Sequence, residues 1–71
     1  MTYKDVFELI DRTCLNQTDI ARWCGLTRSA VGLWKKRPQH HEIDLKYEER
    51  IMYNLHQLEA IIDEIQNRSI Y

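Results

Sequence analysis

Apolar residues recur along this chain in short helical stripes, each preceded by a residue suited to cap a helix. Val6, Leu9, Ile10 and Thr13 follow the i, i+3, i+4, i+7 spacing of one buried face, and Phe7 widens it. They predict a first helix over 3–13, with Thr2 as N-cap and Asp5 as a weaker relative of the capping-box acid. A second helix is expected over 17–24. Asn16 and Asp19 repeat the cap signature, and Ile20, Ala21 and Cys24 form the inner face. Gly25 ends it, since glycine enters the left-handed conformation at little cost. The third helix starts after Thr27 and is expected to reach Lys36, before Pro38 stops it. Ala30, Val31 and Trp34 share one side of it; Arg28, Ser29, Gly32, Leu33 and Lys36 share the other. Residues 39–42 read as a loop and Ile43 as a core plug. Asp44 then caps a last helix with no breaker up to Arg68. Within it, Ile51, Leu55, Leu58, Ile62 and Ile65 are spaced 4, 3, 4, 3, a heptad stripe, and Leu45, Tyr47, Met52 and Ile61 add apolar surface beside it. A break near Asn54 would divide this helix, so the expected fold is all-α with four or five helices.

One proline, two glycines and few β-branched clusters support that class. At 71 residues the chain reads as a single domain over 1–71, and a domain this small gains from oligomerisation. With 44% hydrophobic and 30% charged residues it suits a folded domain rather than a disordered one. The charged opening and the lack of a long apolar run predict no signal peptide, no membrane partner and a cytoplasmic setting, in a bacterium or a phage-infected host and close to the nucleoid. Cys14 and Cys24 are both expected in helical, apolar packing as reduced thiols. A metal site joining them to His40 and His41 lacks any matching ligand spacing, so no metal is expected.

The net charge of −1 hides a strong asymmetry. Between Arg12 and His41 six basic residues meet one acid, Asp19, for a local +5; the segment from Glu42 onward carries −4. DNA binding requires positive charge where the phosphates lie, not a basic protein overall.

The twenty residues from Gln17 to Lys36 meet the packing demands of two short helices crossing steeply. Ala21 is small where the helices cross, Gly25 makes the turn, Leu26 drops inward from it, and Val31 and Trp34 anchor the second helix from inside. This run resembles the Cro and lambda-repressor-like (XRE-type) helix-turn-helix family of phage and plasmid regulators, through Gln17, Ile20, Ala21, Gly25, Leu26, Ser29, Val31 and Trp34. The run from Ile43 to Ile51 resembles the helix opening that often follows in that family, with Asp44 where proline is usual and a longer loop before it. The likeness covers residues 5–52, about two thirds of the chain.

The resemblance implies that the third helix docks in the major groove of double-stranded DNA, with Thr27, Arg28, Ser29, Leu33 and Lys36 on the contacting positions. Arg28 is the first candidate for base reading, since arginine can donate twice to guanine. Leu33 could touch a thymine methyl. Gln17, Lys35 and Arg37 are candidate phosphate contacts, with Arg22 a weaker one. Trp34 is expected in the core, Trp23 has no clear inward position, and Tyr47 is either a support or a phosphate hydrogen bonder. Gly32 is read as either a close approach to DNA or tight packing within the chain.

Twofold symmetry would let such a protein read two half-sites one helical turn apart. Leu55, Leu58, Ile62 and Ile65, within a dimerisation helix over 52–68, are the candidate interface for a homodimer. The function expected is a repressor acting on a palindromic operator, autoregulatory and of phage or mobile-element type. Phage Cro-like regulators, anti-CRISPR-associated autorepressors and operon-repressing antitoxins are similar in size and build. A helix-turn-helix interaction module that does not bind DNA is the competing class. No acid pair, nucleophile–base set or glycine-rich phosphate cradle occurs, so neither an enzyme, a cofactor nor a small-molecule ligand is expected.

Overall fold

The first three helices begin where a side chain covers free amides of the first turn. A computed structural model of the chain describes the backbone of residues 1–69 and the side chains of residues 1–65. Its elements are α1 (Tyr3–Arg12), α2 (Gln17–Cys24), α3 (Arg28–Leu33) and α4 (Leu45–Ser69), with one 3-10 turn, Trp34–Lys36, after α3. Thr2 Oγ1 accepts from the Asp5 amide at 3.2 Å while Asp5 Oδ2 accepts from the Thr2 amide at 2.9 Å, a complete capping box. Asn16 and Asp19 make the same reciprocal pair at 3.0 and 3.1 Å. Thr27 Oγ1 accepts from the Ala30 amide at 3.2 Å. No strand occurs among the described residues; Thr2 and Glu42 form an isolated antiparallel bridge.

The core gathers Val6, Ile20, Ala21, Cys24, Val31, Trp34, Ile43 and Ile51. The Ile43 plug and the inner faces expected for α2 and α3 are therefore in place, with Ala30 half-buried. α2 sits centrally, packed against both α3 and α4. Leu26 and Trp23 are half-buried against the same cluster, so Trp23 does find an intramolecular support. Tyr47 acts as a support: its ring lies 5.8 Å from that of Trp34, which meets Tyr3 edge-on at 5.7 Å.

Several sequence expectations are corrected. α1 ends at Arg12. Thr13 is its exposed C-cap, and its hydroxyl donates to the Leu9 carbonyl at 2.8 Å instead of entering the core. Cys14 lies exposed in the connection to α2; only Cys24 is buried. α3 keeps α-helical geometry only to Leu33, and its last turn tightens to 3-10. Gln39 explains how that end is held: its Nε2 donates to the carbonyls of Trp34 at 2.9 Å and Arg37 at 2.8 Å, satisfying groups a helix end leaves open. α4 is continuous through Asn54, whose Nδ2 donates back to the Arg50 carbonyl at 2.8 Å.

The loop between Pro38 and Ile43 crosses the start of α1. Its Gln39 and His41 carbonyls accept from the Lys4 and Tyr3 amides at 3.0 and 3.1 Å, and the Ile43 amide donates to the Met1 carbonyl at 2.9 Å. The Met1 ammonium donates to Glu42 at 2.7 Å and to Glu48. α4 then leaves the body: Ile51 is buried, Leu55 half-buried, and residues 58–65 exposed, with overall extents of 47 × 21 × 19 Å. No helix among the described residues is long and apolar enough to cross a membrane.

Candidate nucleic-acid interface

The α2–α3 junction fixes the angle at which α3 is displayed. Gly25 takes φ 71°, the left-handed region, and its amide donates to the Ala21 and Arg22 carbonyls. Arg50, reaching across from α4, donates from Nη1 to the Cys24 carbonyl at 3.3 Å. A cation is thus placed at the negative end of the α2 dipole. Burial pushes the Cys24 thiol up from its ordinary pKa, with the Arg50 charge opposing.

α3 is anchored from one side and free on the other. Val31 and Trp34 are buried, while Arg28, Ser29, Leu33 and Lys36 are exposed. At roughly 100° per residue Arg28, Ser29 and Leu33, with Gly32, occupy one sector of the α3 surface, and Lys36 follows in the 3-10 turn. Gln17, at the start of α2, borders that sector: a Cβ on Gly32 would lie 3.4 Å from its Oε1. That is ordinary contact, so packing within the chain does not require glycine at this position. The Thr27 hydroxyl accepts the α3 cap bond, and its own proton remains available to donate outward.

The other basic candidates lie outside this sector, with Lys35 and Arg37 turned toward α1. Lys35 Nζ lies 5.5 Å from the Phe7 ring centre on α1, and the Arg37 guanidinium 6.0 Å from that of Tyr3. Both are exposed at the α3 flank nearest α1. Arg22 is exposed in the last turn of α2. His40 and His41 are exposed in the loop, their rings edge to face at 4.5 Å.

Comparison with family models, curated proteins and solved structures found no match.

A shallow cleft beside α3 is lined by Tyr3, Leu33, Trp34, Arg37, Asp44 and Tyr47. Among the described residues no group of three or more His, Cys, Asp or Glu is placed to hold a metal ion. Of the dimerisation candidates, Leu55 is partly occupied with the core, whereas Leu58, Ile62 and Ile65 are exposed on the free part of α4. The side chains of 66–68, the end of the expected dimerisation segment, lie outside the described residues. Sequence reasoning missed Arg50 and Gln39. The Arg50 bond spans 26 positions and leaves no local pattern; Gln39 acts locally, and its place directly after the Pro38 stop was the available signal.

Proposed function

We propose that the chain is a DNA-binding regulator that lays α3 in the major groove and acts as a homodimer on a palindromic operator. Repression by occupying a promoter, its own among them, is the activity this reading assigns, in a phage or other mobile element. The observation that carries this reading is the free face of α3: Arg28, Ser29, Leu33 and Lys36 are exposed together, beside Gln17, on a helix held from behind by Val31 and Trp34. The face joins a base-reading arginine to groups that can bond phosphates, and Lys35 and Arg37 extend its positive charge.

Fluorescence anisotropy with random duplex DNA at low salt, followed by selection from a random pool, tests the proposal. Wild type is expected to bind with an affinity that falls steeply as salt rises, and to select a palindrome. Arg28→Ala is expected to weaken the selected site by about 1–3 kcal/mol and to relax one base position in each half. No binding at low salt, or binding indifferent to Arg28→Ala, would remove α3 as the reading helix. A second reading, an interaction module or antitoxin that acts without DNA, draws on Leu33, which is 56% exposed at the middle of the face. It predicts the first of those negative results.

A further inference from the structure

The part of α4 beyond the core carries a self-matching apolar seam. Leu58, Ile61, Ile62 and Ile65 are 37, 51, 51 and 60% exposed. At roughly 100° per residue the four fall within a sector about 100° wide, and Glu59, Asp63 and Glu64 fall outside it. Monomeric domains seldom leave a contiguous face of this kind to water. Its spacing is 3, 1, 3, which reads the same in both chain directions. A helix with such a palindromic stripe can match itself across a twofold axis, each apolar residue meeting another.

We propose that the occupant of this seam is α4 of a second copy, lying antiparallel, with the twofold axis passing between Ile61 and Ile62. The proposal rests on the reading of the chain as a dimeric regulator and specifies how that dimer is built. Leu58 then packs against the partner subunit's Ile65, and Ile61 against the partner subunit's Ile62. Leu55, half-buried with the core, lies outside the seam, a change from the heptad stripe. Leu58 and Ile62 also wall a groove of about 480 Å³ with Leu55, Glu59, Leu9 and Leu15, so one flank of the seam continues into an apolar groove of the body.

The length of α4 is compatible with this arrangement on the DNA-binding reading. Ile51, fully buried in the core, lies about 16 Å along α4 from the proposed axis at 1.5 Å per residue. The two Ile51 residues are then about 32 Å apart along the helix pair, comparable with the ~34 Å that separates half-sites one turn apart. An axis moved one helical turn along α4 would change that separation by about 11 Å.

Sedimentation equilibrium and disulfide mapping test the proposal. Wild type at micromolar concentration is expected to sediment as a dimer. Ile61→Glu combined with Ile62→Glu is expected to sediment as a monomer with unchanged helical circular dichroism, since both side chains are exposed. For orientation, each cysteine is introduced beside Cys14→Ser. Oxidising a mixture of Leu58→Cys and Ile65→Cys chains is expected to give the mixed disulfide, and Leu58→Cys alone none. A monomeric wild type, a double-Glu variant that stays dimeric, or a Leu58→Cys chain that links to itself would overturn it. DNA anisotropy on the same samples separates the two claims. A dimer with the expected crosslinks that fails to bind DNA removes the regulator and supports the seam. A wild-type monomer that binds DNA removes the seam and leaves the regulator standing.

Discussion

The two glycines of the α2–α3 unit have opposite reasons to be there, and substitution separates them. At Gly25 the backbone holds φ 71°, and an added Cβ would come within 3.2 Å of Arg50 Nη1. Left-handed geometry costs an ordinary residue about 1–2 kcal/mol. Gly25→Ala is therefore expected to lower unfolding free energy by about that amount, measured by urea denaturation. At Gly32 the helix is regular, and the nearest atom to an added Cβ is the tip of the flexible Gln17 side chain at 3.4 Å. Alanine there gains helix propensity of about 1 kcal/mol, so Gly32→Ala is expected to stabilise the fold. If α3 is pressed into a groove, the same methyl group stands in the interface and weakens DNA binding. A variant that is more stable and binds as tightly as wild type would mean that α3 does not approach DNA closely at this point.

Among the elements, α1 is held at its start by groups far from it in sequence. Its first amides are covered by the Gln39 and His41 carbonyls, and the Met1 ammonium is held by Glu42 and Glu48. Hydrogen bonds to Glu42 first and Glu48 second push that ammonium from 8.0 up to about 10. A raised pKa in the folded state means that the clamp contributes fully below pH 8 and is lost as pH rises toward 10. The Cys24 thiol, also pushed up by burial, favours unfolding in the same direction once the unfolded thiol ionises. The urea midpoint is thus expected to fall between pH 8 and 10, and to fall less in Glu48→Gln, which weakens the clamp and leaves Cys24 untouched. An equal fall in both proteins would show that Glu48 adds nothing to the clamp. This clamp was not legible in the sequence, whereas the helices were. Val6, Ile20 and Val31 announce their faces by local spacing, and Thr2, Asn16 and Thr27 announce their caps within three residues. Thr13 and Cys14 were misplaced because periodicity continues smoothly past the point where α1 stops. The exposed set on α3 was legible for the same reason as the buried one, since both follow from one helical period. What periodicity could not supply was the sideways lean of Lys35 and Arg37 toward the aromatic rings of α1.

Charge and shape combine only at the scale of the whole molecule. The basic stretch ends before α4, and Glu59, Asp63 and Glu64 lie on the arm that carries the seam, so the acidic end is remote in sequence from the α3 face. A phosphate surface therefore attracts the body more than the arm, which favours docking with the arm held away from the duplex. The consequence can be counted in released ions. If Lys35, Lys36 and Arg37 each neutralise one phosphate, two protomers release counterions from six sites, and log K against log salt has a slope of about −5. The double variant Ile61→Glu with Ile62→Glu leaves the α3 face intact, but each binding event then engages one protomer. Its slope is expected near −3, about half. Lys35→Gln in the otherwise unaltered dimer removes one contact per protomer and is expected to flatten the slope by about 2 without changing the selected sequence. Equal slopes for wild type and the double-Glu variant would mean that the two α3 faces do not engage DNA together, because a shared duplex must lose counterions to both.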